Sequence, residues 1–221
     1  YAPLYVGIEE KIFAQAGLNI KPIKFESTNQ LMESLISGRI DASLGGVNNY
    51  VLSTIQEKSP NEFKIFSVTT ETSSTPFIFL LVKKDSDIKE IKELEGKKIG
   101  IYPGSFSKVI YKKVVEKYFD PSEATLTQMN AKLTLQALES KQVDAIIVLE
   151  PLAAIGSDKN ITKNLESALL DKYFFSNMPV ATSVMSTKWL ANNKKTANKL
   201  VTATQKAIEF INTNPTSTKE Y

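Results

Sequence analysis

Cysteine and histidine are both absent from the 221 residues of this chain. The first absence removes disulfides, thiolate nucleophiles and cysteine-based zinc or iron–sulfur sites. The second removes the commonest general base and the commonest metal ligand. Arg39 is the only arginine, so every other cation is a lysine. A nucleic-acid reader normally carries a basic stripe with arginines for phosphates and guanine edges, and none is present. No stretch approaches about 18 uncharged apolar residues, which excludes a spanning helix. Most hydrolytic and metal-dependent chemistries lose their usual side chains, and the composition points to binding, with neither cofactor nor metal expected.

What is present is ordinary for a folded protein. Hydrophobic residues make up 42% and charged residues 23%, with 27 Lys+Arg against 24 Asp+Glu. The length suits one large domain or two lobes of about 100 residues each. Strand and helix patterns alternate along it. Ile8, Ile12 and Phe13 have helical spacing, with Gly17 at a capping position. Residues 18–25 alternate as a strand, 29–37 place Leu31, Leu35 and Ile36 on one helical face, and 40–44 form a short strand before Gly45-Gly46. A helical stretch through Val47, Tyr50, Val51 and Ile55 precedes strands at 63–69 and 77–83, the latter apolar enough to be buried on both faces. A second series follows: helix 87–94, strand 98–101, the turn Tyr102-Pro103-Gly104-Ser105, a helix carrying Ile110, Val114 and Tyr118, strand 125–129, helix 131–140 and strand 143–149. Residues 180–186 read as a strand and 196–214 as a long helix.

An internal repeat organises this alternation. Leu35-Ile36-Ser37-Gly38-Arg39-Ile40-Asp41-Ala42 matches Leu138-Glu139-Ser140-Lys141-Gln142-Val143-Asp144-Ala145, 103 positions later. Under that offset Ser27 falls on Asn130 and Val47 on Glu150. Two units in which each strand feeds a helix predict two parallel-sheet lobes, with ligands outside the carboxyl ends of the strands and a cleft where the lobes face each other. The competing account is chance likeness of two amphipathic helix–strand pairs.

The chain opens at Tyr1-Ala2-Pro3-Leu4-Tyr5 with no room for a strand before it, and stops at Lys219-Glu220-Tyr221 without a closing signal. It reads as a fragment, whose missing leader says nothing about localisation. The opening run through Val6-Gly7, with Glu9-Glu10-Lys11-Ile12-Phe13 and Gly17-Leu18, resembles the start of the SsuA/THI5-like (NMT1-like) solute-binding proteins. Leu94-Glu95-Gly96-Lys97-Lys98-Ile99-Gly100-Ile101 with Gly104-Ser105 resembles that family's entry into its second lobe, and Val143-Asp144-Ala145 through Glu150-Pro151 its later signature. The resemblance covers nearly the whole chain, lacking the family's first strand and C-terminal helices.

It implies an α/β protein of the type II periplasmic-binding fold: two Rossmann-like lobes, 1–83 with 179–221 and 84–178, joined by hinge crossings near 82–85 and 177–180. It further implies the extracytoplasmic receptor of an ABC importer, periplasmic or anchored as a lipoprotein, monomeric, delivering a small organic solute to permease subunits. The solute class would be sulfonate-, taurine- or nitrate-like, or a thiamine-precursor pyrimidine. The candidate ligand-binding residues are Tyr1, Pro3, Leu4, Ser27, Thr28, Gly46 and Asn48 in the first lobe, with Tyr102, Gly104, Ser105, Phe106, Asn130 and Glu150 in the second.

Their chemistry fits that use. Gly104-Ser105-Phe106-Ser107 lies where a strand turns into a helix, whose free N–H groups accept an anion or carbonyl; Ser105 could equally serve as a cap. Ser27, Thr28 and Asn130 are short polar groups at helix starts, open to the same two uses. Gly46 and Asn48 allow close backbone approach after a strand. Glu150 would suit an amine or hydroxyl donor, or only position its turn. Tyr1, Tyr102 and Phe106 offer apolar or stacking walls. Arg39 lies at the strand end away from the cleft, so a strongly charged oxyanion would rely on backbone, hydroxyls or Lys108; a planar or zwitterionic organic ligand fits better. Two other functions share the fold. The effector domain of a LysR-type regulator would need an upstream DNA-binding segment. A THI5-type pyrimidine synthase resembles this family too, but its histidine and cysteine-rich motif are absent, so no enzyme is expected.

Overall fold

The computed structural model describes residues 1–25 and 27–214. The last seven residues assigned by sequence to the first lobe, 215–221, lie outside the described residues. In chain order the elements are α1 (Ala2–Glu9), α2 (Ile12–Gln15), α3 (Thr28–Ile36), β1 (Ala42–Val47), α4 (Asn49–Lys58), β2 (Phe63–Thr70), β3 (Ile78–Lys83), β4 (Lys98–Ile101), α5 (Ser105–Val115), β5 (Thr125–Gln128), α6 (Ala131–Glu139), β6 (Ala145–Leu149), α7 (Leu152–Asp158), β7 (Thr162–Ser167), α8 (Leu169–Tyr173), β8 (Pro179–Ser186), α9 (Thr187–Asn192) and α10 (Lys194–Thr213). Short 3-10 turns stand at Ile91–Leu94 and Pro121–Glu123. No helix among the described residues is long and apolar enough to cross a membrane.

The chain divides into two compact units, Tyr1–Thr69 with the segment from Pro179 onward, and Thr70–Met178. The first passage between units therefore falls at 69/70, not at 83/84 as the sequence suggests. β3 explains the difference. It pairs antiparallel with β6 on one side and β7 on the other, so it sits inside the second unit's sheet. Ile78, Leu80, Leu81 and Val82 are all buried there, each worth about 1.5–3 kcal/mol over exposure.

The second unit has a five-stranded sheet in the order β5-β4-β6-β3-β7. β4 runs parallel to both β5 and β6. Helices α6 and α7 bury Ala137, Leu138 and Ala153 against Leu81, Ile146 and Val148. The first unit has a three-stranded sheet, β1-β8-β2, in which β1 and β8 are antiparallel. Two parallel lobes are thus not what forms: among the described residues parallel pairing is confined to β5-β4-β6. β8 reaches β1 only after the whole second unit, with no strand–helix–strand crossover to impose a direction.

The repeat survives in three dimensions. α3 and α6 are nine residues each and occupy equivalent positions in it. Ser27 caps α3 by accepting from Gln30 N at 3.3 Å, and Asn130 caps α6 by accepting from Lys132 N at 3.0 Å. Residues 18–25 form no strand. Pro22 has no N–H to donate, no neighbouring strand is available among the described residues, and Ile23 is left 60% exposed. The helix expected over 87–94 shrinks to the 3-10 turn, where Glu93 Oε2 accepts from Lys89 N and Glu90 N. Lys11, at φ 58°, breaks the opening helical stretch into α1 and α2.

Candidate functional site

In the second unit the sequence-predicted residues gather along one edge. Tyr102, Gly104, Ser105 and Phe106 follow the carboxyl end of β4, Asn130 follows β5, and Glu150 follows β6. These are the three mutually parallel strands, so all six residues emerge on the same side of the sheet. Gly104 is the N-cap of α5, at φ 121° and ψ 168°, and has no side chain with which to cap. Ser105 is the first helical residue, and no side chain caps this helix. The capping role that sequence allowed for Ser105 is therefore not the one it plays. The first-turn amides of α5 are without intrahelical partners at the positive end of an 11-residue helix.

The neighbours of that turn are polar or half-buried. Gln128 Oε1 accepts from Gly104 N at 3.2 Å. Sequence reading passed over Gln128; its only signal is its place at the carboxyl end of β5. Tyr102 packs on the core beneath, bonds to the backbone of Leu149, and has its hydroxyl pushed above the ordinary tyrosine range by burial. Glu150 Oε2 accepts from Ala154 N at 3.1 Å, four residues on. One carboxylate oxygen thus serves the start of α7, the turn-positioning use that sequence left open beside ligand contact.

In the first unit Tyr1, Leu4, Ser27, Thr28 and Gly46 line one cavity of 790 Å³, which also reaches Trp189 and Arg39. It runs beside β1, the strand at the edge of its sheet. Thr28 Oγ1 donates to Gly46 O at 3.0 Å, joining the start of α3 to the glycine pair. The Tyr1 ring lies over Gly45: a Cβ there would stand 2.4 Å from Tyr1 Cδ2. Gly45 and Gly46 both have positive φ, 76° and 80°, and Gly45 N donates to the buried Ser183 Oγ at 2.9 Å. Pro3 and Asn48 stand apart from the cavity. Pro3 is the second residue of α1, and Asn48 caps α4 through Val51 N at 3.0 Å. Among the described residues no group of three acidic side chains could hold a metal ion.

With that geometry in hand, the likeness to known proteins is informative. The sequence model of the family described as NMT1/THI5 like matches residues 1–218. YtlA of Bacillus subtilis (strain 168), which carries the name of a binding protein, is 24% identical over 215 residues; the match covers 96% of this chain and 62% of YtlA. The chain therefore spans less than two thirds of that relative. The periplasmic aliphatic sulphonate binding protein SsuA of Escherichia coli superposes with a TM-score of 0.77 at 13% identity, over 98% of this chain and 72% of SsuA. The alkanesulfonate-binding protein SsuA of Xanthomonas axonopodis pv. citri, solved with MOPS bound, superposes with a TM-score of 0.75 at 15% identity, over 98% of this chain and 73% of its own. At these identities the likeness establishes the periplasmic-binding-protein fold.

Proposed function

The chain belongs to the NMT1/THI5-like family, and from that premise we propose that it captures a small organic solute for an ABC importer. The observation that carries this reading is the start of α5. It presents uncapped amides at the carboxyl edge of three parallel strands, beside Gln128 and Asn130. Such a turn suits the negative or carbonyl end of a sulfonate-, nitrate- or pyrimidine-like solute. Tyr102 and Phe106 supply apolar walls, and the free oxygen of Glu150 suits an amine or hydroxyl donor. Tyr1, Leu4, Thr28 and Gly46, which line the first unit's own cavity, suit the apolar and polar parts of such a solute in the same way. Capture proceeds by hinge bending between the units, the solute favouring the closed state. The protein acts outside the cytoplasm, free or lipid-anchored, as a monomer serving permease subunits, and it catalyses nothing. The family match across 1–218 favours this reading over a LysR-type effector domain.

A thermal-shift panel of alkanesulfonates, taurine, nitrate, bicarbonate, aminopyrimidines, thiamine, riboflavin and amino acids tests it. A solute present at 100 times its Kd adds about 2.7 kcal/mol. At roughly 2–4 °C per kcal/mol the midpoint rises by about 5–10 °C. A folded protein whose midpoint no member of the panel moves would count against the solute classes named here.

A further inference from the structure

Two segments of the second unit, one just after the chain enters it and one shortly before it leaves, each carry a carboxylate that reaches the other segment. Glu71 lies two residues into the second unit on the outgoing segment and is fully buried. Its Oε1 accepts from Phe77 N at 2.8 Å and Ile78 N at 2.5 Å, on its own segment. Its Oε2 accepts from Leu170 N at 2.6 Å and Asp171 N at 3.4 Å, on the segment that leads back. Its backbone N donates to Met178 O at 3.0 Å, at the last residue before the return passage. Asp171 mirrors the arrangement. Its Oδ2 accepts from Ser73 Oγ at 2.6 Å, on the outgoing segment, and its Oδ1 accepts from Asn177 N at 2.9 Å, on its own.

We infer that Glu71 and Asp171 form a reciprocal clasp that locks the outgoing segment 70–78 and the return segment 170–178 into one rigid element of the second unit, so that bending between units is confined to the bonds at 69/70 and 178/179. Both are positioning residues. Four amide donors around one buried carboxylate leave little freedom to the segment bearing it, because each lost bond would strand a buried polar group. The confinement of bending rests on the hinge reading above, whereas the clasp itself is read by the exchange experiment below without any solute, so the two can fail separately.

Amide hydrogen exchange on the whole chain tests the clasp, with Glu71→Gln, Asp171→Asn and Ser73→Ala compared with the parent. Glu71→Gln keeps the shape but turns an NH2 toward backbone donors. Ser73→Ala deletes only the crossing bond of the exposed Ser73 and keeps the test valid if the buried variant fails to fold. A reciprocal clasp predicts that each substitution speeds exchange on both segments, at 77, 78, 170, 171 and 177, by about ten-fold or more. It also predicts that Asp171→Asn added to Ser73→Ala gives little further change. Protection in β4 and β6 stays at the parental level, and 15N relaxation shows the two units tumbling more independently. The inference is overturned if Ser73→Ala or Asp171→Asn affects only its own segment, if the effects simply add, if exchange rises uniformly through 70–178, or if tumbling stays as in the parent.

Discussion

Lys141 holds a left-handed backbone, φ 60°, at the position that corresponds through the internal repeat to Gly38, φ 77°. Each residue sits just past the end of its helix, α3 or α6, where the chain reverses into a strand. A side chain in that conformation costs roughly 1–2 kcal/mol, and glycine avoids the cost while losing some chain entropy on folding. Lys141→Gly should therefore stabilise the second unit by about 0.5–1 kcal/mol. Gly38→Ala, whose new Cβ meets nothing within 4 Å, should destabilise the first by about 1 kcal/mol, from backbone strain alone. Urea unfolding of the two variants measures both, and equal midpoints would refute the equivalence.

The Tyr1 ring over Gly45 gives a second test. Ala at 45 brings a Cβ within 2.4 Å of the ring and fixes a side chain at φ 76°. Gly45→Ala should cost about 1–3 kcal/mol through strain and ring displacement together. Trp189 lines the same cavity, so its fluorescence should change with the substitution. An unchanged emission and urea midpoint would show that the ring moves away freely.

Acid should weaken the second unit through its bonded carboxylates. The hydroxyl of Ser73, then the amide of Asn177, hold Asp171 below the ordinary aspartate range; the amide of Ser122 does so for Asp120, and the amides of Lys89 and Glu90 hold Glu93 below the glutamate range. Lys83 lowers Asp85, and Lys113 lowers Glu116, each first through a side-chain hydrogen bond. A carboxylate lowered on folding adds stability above its unfolded value, about 4, and that stability is lost as pH falls through the folded value. The unfolding midpoint of the second unit should fall steadily from pH 5 to pH 3. Asp120→Asn should make that fall shallower, and a flat profile across the interval would contradict the assignment.

The start of α5 can be edited without breaking the helix. Proline is accepted at the first helical position, and the ψ of Gly104, 168°, lies near the range taken by a residue before proline, while its positive φ is open to glycine. Ser105→Pro deletes one amide donor and the hydroxyl, whereas Ser105→Ala deletes the hydroxyl alone. With a solute found by the panel, Ser105→Pro should weaken binding by about ten- to a hundred-fold and more than Ser105→Ala does. Calorimetric titration separates the two; equal affinity in parent and Ser105→Pro would remove the amide from the site.

Much of the second unit was legible in the sequence because its signals are local. Strand 98–101 lies where its pattern puts it, and Asn130 caps the helix it precedes, since caps and periodicity act over a few residues. What escaped depends on distant partners. Residues 18–25 have the alternation of a strand, but pairing requires a neighbour that the local pattern does not report. β3 reads as a buried strand, yet only its pairing with β6 and β7 assigns it to the second unit. Glu71 sits in the run Glu71-Thr72-Ser73-Ser74-Thr75, which reads as a polar loop, while one of its partners is 99 residues away. The candidate site was legible as a set of turns after strands. That Gly104 rather than Ser105 occupies the cap position was not, because one residue of register decides which amides stay free.

The most direct test of the central claim is an amide-resolved NMR titration of the protein with the solute that most raises its melting midpoint. Binding at the carboxyl edge of β4, β5 and β6 predicts saturable shifts centred on Gly104, Ser105, Phe106, Asn130 and Glu150, with the far ends of those strands, at Lys98 and Thr125, unmoved. Saturable binding that leaves the Gly104–Phe106 amides unshifted would contradict it.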